Sequence, residues 1–244
     1  MTLPNIKYEL AYGSHASPEE GLCAMEFVAL LAGEDHSDAP VCVDPPLRRF
    51  SIGLNDRLPD DLRQELRPYL ARCIGTADDG RTEERRWLLV DFAVRIAAAE
   101  AQEVAGFKQN AERLRSLPRI VDRESGQRAA EVCREVRAAA PRRLLRRLRR
   151  PAAAAAYAAA AASAASYAAS YAASVAAADA DAYYAAYAAA AADAAAYAAD
   201  ADASHAMWDR LMPHIRDLYE AMLPTEALPL PEDKQVLYEE LLRA

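Results

Sequence analysis

The apolar positions of this chain recur at helical spacing, and no stretch of useful length alternates as a strand would. The densest block, Leu22 to Ala32, is apolar on every side except for Glu26, which predicts a buried central helix. Ser17-Pro18-Glu19-Glu20 reads as its start: Ser17 as N-cap, Pro18 in the first helical position, Glu20 closing a capping box. Gly33 reads as its left-handed stop. Asp44-Pro45 predicts a second helix with Leu47, Phe50 and Leu54 on one face. Pro59-Asp60 predicts a third through Leu62, Leu66, Leu70 and Cys73, with Gln64 in its capping box, a kink at Pro68 and an end at Gly75. Thr82 is placed to cap a long fourth helix carrying Trp87, Val90 and Val94, punctuated by Gly106 and Pro118. Residues 124–140 predict another, stopped by Pro141, and Pro141–Pro151 brackets a short basic helix. A further helix restarts at Ser204, carries Trp208, Leu211, Ile215, Leu218 and Met222, is kinked by Pro213 and stops at Pro224, and a last one follows Pro231. The expected fold is all-α. A compact N-terminal helical domain (1–140) is joined by a basic helical linker (141–151) to an alanine-rich acidic helical region (152–244).

The alanine tract, Ala152 to Ala206, dominates the second half. From Ala152 to Ala178 it contains no charged residue, no Gly and no Pro. Alanine has no rotamers to freeze and no polar group competing for the backbone, so the tract is helical by propensity alone. Tyr167 and Tyr171 stand at i, i+4 on a surface otherwise made of methyl groups, a pattern that predicts burial against another helix, within the chain or across a homo-oligomer. As one rod the tract would run about 80 Å, so breaks are expected near Asp179–Asp181 and Asp200–Ser204, giving packed antiparallel helices, with a single long rod as the alternative.

Charge divides the chain unevenly. Residues 1–150 carry 25 Lys+Arg against 24 Asp+Glu, whereas residues 151–244 carry 4 against 13, which argues against nucleic acid as a ligand of the second half. An uncharged stretch behind six arginines also has the outline of a membrane span. Alanine is only marginally apolar, however, four serines oppose insertion, and the stretch lacks Leu, Ile and Phe, so the membrane reading is set aside. The cysteines, Cys23, Cys42, Cys73 and Cys133, form no C-x-x-C pair, and Met1–Leu10 is polar. Together these imply reduced thiols and a cytoplasmic protein.

Three short runs carry a resemblance. They are Leu22-Cys23-Ala24-Met25-Glu26; Leu31-Ala32-Gly33-Glu34 continuing through His36-Ser37-Asp38, Pro40 and Cys42; and Leu54-Asn55-Asp56-Arg57-Leu58-Pro59-Asp60. Over residues 10–95 the chain resembles a family of uncharacterised proteins from high-GC Gram-positive bacteria and their phages. Members often continue into an alanine-rich helical tail ending in a short amphipathic helix. The resemblance implies a helical fold and no particular activity. The tail here departs from the family in being rich in Tyr and Asp rather than Arg and Trp.

Candidate chemistry is sparse. There is no Gly-rich phosphate loop, no H-E-x-x-H, no G-x-S-x-G and no zinc-ribbon spacing, and no cofactor is implied. Glu26 is the sharpest oddity, because a carboxylate inside an apolar helix must find a partner or take up a proton. Arg48, Arg49 and Arg57 are the expected partners. Cys23, Glu26, His36, Asp38 and Cys42 include zinc-ligand types. Chain reach favours a structural polar cluster instead, with the His36–Cys42 loop folded back along the first helix and pinned near Glu26. Arg142, Arg143, Arg146, Arg147, Arg149 and Arg150 form a basic face opposite Leu144, Leu145 and Leu148, the candidate surface for an acidic partner. The expected function is a non-catalytic helical binding or regulatory module with a protein partner, of a phage-related accessory or immunity type. The alternative is a small enzyme or metalloprotein with a site around Glu26, His36 and Cys42.

Overall fold

The computed structural model describes residues 9–139, 201–225 and Glu232. The described part is all-α, 66% helical, with no strand. The basic face at Arg142–Arg150, the tyrosines Tyr167 and Tyr171, the breaks expected in the alanine tract and nearly all of the helix after Pro231 lie outside the described residues. No helix among the described residues is long and apolar enough to cross a membrane. The chain divides into two compact units, Met1–Thr82 with Met222–Ala244, and Glu83–Ala221.

The first unit is built on α1 (Ala24–Ala32), whose residues are buried apart from Leu30 and Ala32. α2 (Pro45–Asn55), α3 (Asp60–Gln64) and α4 (Arg67–Leu70) follow, then two 3-10 turns, Ala71–Cys73 and Thr76–Asp78. α1 packs against α2 and α4. Phe27, Leu31, Leu47, Phe50, Leu54 and Leu70 are fully buried, which is where the apolar periodicity placed them.

Two starts differ from the sequence expectation. α1 begins at Cys23, not Ser17. Ser17–Glu20 closes a turn through Glu20 N–H to the Ser17 carbonyl. Leu22 then forms an isolated parallel bridge with Leu10, and its carbonyl accepts from the Ala11 N–H at 2.9 Å. The residues expected as the first helical turn are thus spent on holding the N-terminal segment, and Gly21, a costly helix residue, marks the switch. The second difference is at Pro68, which does not kink a continuous helix. The chain leaves α3 after Gln64 and restarts, so that Pro68 falls in the first turn of α4, where a missing N–H costs nothing.

Gly33 ends α1 as expected, with φ 73° and the Glu34 N–H reaching back to the Ala29 carbonyl at 3.0 Å. Thr82 starts α5 (Thr82–Asp91), but its hydroxyl donates to Asp44 at 2.9 Å instead of capping its own helix.

In the second unit α5 runs into a π-helical stretch, Phe92–Ala98, and then α6 (Ala99–Val104). α7 (Lys108–Arg115), α8 (Arg123–Ala139) and α9 (Ala201–Met222) complete it, with Pro213 inside α9. The π stretch packs on α6 and α7, and α7 packs on α8. Glu100 ties α6 to both α7 and α9, taking Arg115 at 2.6 Å and bonding Arg210 as well. Burial opposes the charge on Glu100, but Arg210 and Arg115 outweigh it and hold the carboxyl below its usual value.

Candidate functional site

Glu26 is buried at the start of α1 and faces a ring of donors. One oxygen, Oε1, accepts the His15 backbone N–H at 2.7 Å. The other, Oε2, accepts the Cys23 backbone N–H at 2.7 Å and meets His15 Nδ1 at 2.8 Å. The Cys23 sulfur accepts the Glu26 N–H at 3.5 Å, so Cys23 and Glu26 form a capping box with a thiol in the place of the usual hydroxyl. Burial disfavours the carboxylate, but the two N–H bonds and the His15 ring outweigh it, so the net pKa lies below the ordinary value. The partner is therefore His15. Two of the expected arginines go elsewhere: Arg48 donates to the Pro40 carbonyl and Arg57 to the Gly53 carbonyl. The physical reason is the N-terminal segment, which lies across the start of α1 and brings two donors of one residue to the carboxylate.

That segment is fastened along its length. Leu10 and Gln64 exchange two hydrogen bonds of 2.9 Å, backbone to side-chain amide. Gln64 closes no capping box, because α3 starts at Asp60 behind Pro59 and Gln64 is its last residue. Gly13 N–H donates to Asp56 at 3.1 Å. Asn55, fully buried, takes the Ala24 N–H on its oxygen at 3.1 Å and gives its amide to the Ala11 carbonyl at 2.8 Å. The His15 ring lies against Gly21, where an added Cβ would stand 2.6 Å from the ring carbon Cδ2. Gly21 is the residue that lets the ring seat.

Of the candidate cluster, Cys23, Glu26 and His36 meet. His36 Nε2 donates to the His15 carbonyl at 2.9 Å and lies 3.8 Å from Glu26 Oε1. Asp38 is exposed. Cys42 is tied to Glu34, whose carboxylate accepts the Val41 and Cys42 N–H groups at 2.8 and 3.0 Å. Glu34 sits beyond the far end of α1, so it draws the loop's end there and not to Glu26. Burial, helped by a carboxylate neighbour in each case, pushes the Cys23 and Cys42 thiols up to about 12. All four cysteines are free thiols. Among the described residues no group of three or more His, Cys, Asp or Glu is placed to hold a metal ion.

His15 escaped sequence reasoning, because a histidine in a polar lead-in carries no periodic signal. The Glu–His spacing of eleven residues becomes a contact only through the reversal at Ser17–Glu20. The second unit holds a feature with no sequence signal at all. A groove of about 420 Å³ runs beside Trp87 and Val121. A second of about 180 Å³ adjoins it at Leu88 and Arg119, which line both, and continues past Phe92 and Ile96 to Leu218. Glu83, Glu84, Asp91 and Asp217 stand along it.

Compared with known proteins, the chain matches no family model, no curated protein and no solved structure.

Proposed function

We propose that this chain is a non-catalytic helical binding module for a protein partner. The observation that carries the reading is the use made of Glu26. Its oxygens are taken by two backbone N–H groups and the His15 ring, so the group best suited to chemistry is spent on closing the fold. The neighbouring thiol, with its pKa near 12, is protonated at neutral pH and a poor nucleophile or ligand. A partly apolar groove in the second unit supports recognition over turnover. Arg142–Arg150 supply a second contact surface, suited to an acidic partner.

The test is affinity capture of the tagged full chain from its native host, followed by gel filtration and mass spectrometry. A single protein in a fixed ratio is the expected result. A stoichiometric metal or small molecule, with no protein, would overturn the reading in favour of an enzyme or metalloprotein.

A further inference from the structure

We infer that the pocket walled by the π-helical stretch and α9 binds a free apolar α-amino acid. The inference goes beyond the binding-module reading, since it adds a small-molecule site to a chain read as binding a protein. The pocket holds about 180 Å³ and has an apolar floor of Leu88, Phe92, Ile96 and Leu218. An apolar cavity of about 150 Å³ is large enough for benzene, so the floor has room for an isobutyl or benzyl group. Neither wall is regular helix. Phe92 and Ile96 belong to the π stretch, Phe92–Ala98, and π turns occur frequently at functional sites. On the α9 side, His214 and Asp217 follow Pro213, which has no N–H to give the Asp209 carbonyl. Regular winding would be more stable in both walls, and a ligand site accounts for the departure.

The ionic groups select the ligand. Asp91, Arg119, His214 and Asp217 line the pocket. Asp91 is already engaged, pairing with Arg95 at 3.2 Å and accepting the Ile120 N–H at 2.9 Å. Arg119 and Asp217 are exposed, and among the described residues neither forms an ion pair, with the other or with a third group. A guanidinium and a carboxylate that share a pocket without meeting are complementary to a ligand carrying both opposite charges. An α-amino acid holds them on one carbon: its carboxylate suits the Arg119 fork, its ammonium suits Asp217, and its side chain suits the apolar floor. A purely apolar ligand would leave both charges unmatched. A simple anion would use Arg119 and meet Asp217 as a like charge.

Isothermal titration calorimetry of the full chain with L-phenylalanine and L-leucine tests this. The expected result is one saturable site for each, with a dissociation constant below about 1 mM. Hydrocinnamate lacks the ammonium and phenethylamine lacks the carboxylate, so each should bind about tenfold or more weakly than L-phenylalanine. Arg119→Gln should weaken L-phenylalanine about tenfold or more and leave phenethylamine unchanged. Asp217→Asn should weaken L-phenylalanine by a similar factor and leave hydrocinnamate unchanged. Both changes are at exposed positions, so thermal melts of the variants should match the parent chain. Absence of saturable binding by either amino acid overturns the inference. Hydrocinnamate or phenethylamine binding as tightly as L-phenylalanine overturns it too, because the pocket would then not read a zwitterion. Amino-acid binding that neither variant weakens places the site elsewhere and also overturns it. The titrations use the purified chain alone, so the inference can fail while a protein partner is still captured, and capture of a partner does not rescue it.

Discussion

Replacing Glu26 with Gln keeps the shape of the side chain and removes its charge. The two backbone donors face different oxygens, His15 N–H on Oε1 and Cys23 N–H on Oε2, each at 2.7 Å. An amide offers one oxygen and one NH2, so either orientation leaves one N–H facing another donor. An unsatisfied buried donor costs about 1–3 kcal/mol. The remaining bonds lose their charge assistance, which adds about 1 kcal/mol. The expected loss is about 3 kcal/mol, or roughly 10 °C in melting temperature for a chain of this size. Urea melts followed by circular dichroism at several pH values supply the measurement. The folded carboxyl lies below its ordinary value of 4.5, so its contribution is complete above that value and is lost as pH falls through the folded pKa. Gln has no such titration, so the gap between parent and variant should narrow in acid. A gap under about 0.5 kcal/mol at neutral pH, or one undiminished near about pH 3, would refute the assignment of Glu26 as the clasp of the N-terminal segment.

Three further outcomes are expected. Gly21→Ala places a Cβ 2.6 Å from the His15 ring and should destabilise by about 1–3 kcal/mol, and the penalty should shrink in a His15→Ala background, where a double-mutant cycle measures the coupling. Glu100→Gln should weaken the hold on Arg210, while Arg115 keeps its ion pair with Glu103, and should raise amide hydrogen exchange in α9 around Arg210; unchanged exchange there would show that apolar packing alone holds α9. The Cys23, Cys42 and Cys133 thiols, all raised to about 12 by burial, should resist a thiol-specific reagent at about pH 8 in the folded protein and react fully in urea, with half-buried Cys42 the fastest of the three.

The sequence alone carried the helical class, because the period of apolar positions is a local property. Leu47, Phe50 and Leu54 could be assigned to a core face, and Gly33, Asp44-Pro45 and Pro224 to helix ends, from spacing and capping chemistry alone. It also marked Glu26, since a carboxylate in an apolar block is conspicuous without coordinates. What it could not supply was the partner. His15 reaches Glu26 because the chain reverses at Ser17–Glu20 and Gly21 leaves room for a ring, and that reversal displaced the helix start that the local signal at Ser17-Pro18-Glu19-Glu20 predicts. Here a tertiary contact, the pairing of Leu10 and Ala11 with Leu22, overrode a propensity worth about a kilocalorie. Asn55, Gln64 and Arg63 read as ordinary helix residues, yet Asn55 and Gln64 are fixed by bonds to distant backbone and Arg63 by bonds to the Asn55 and Leu58 carbonyls, in the stretch that precedes its helix. The groove beside Trp87 was invisible for the same reason. Its walls come from residues 83–96, 119–121 and 214–221, and only folding brings residues so far apart in the chain to one surface.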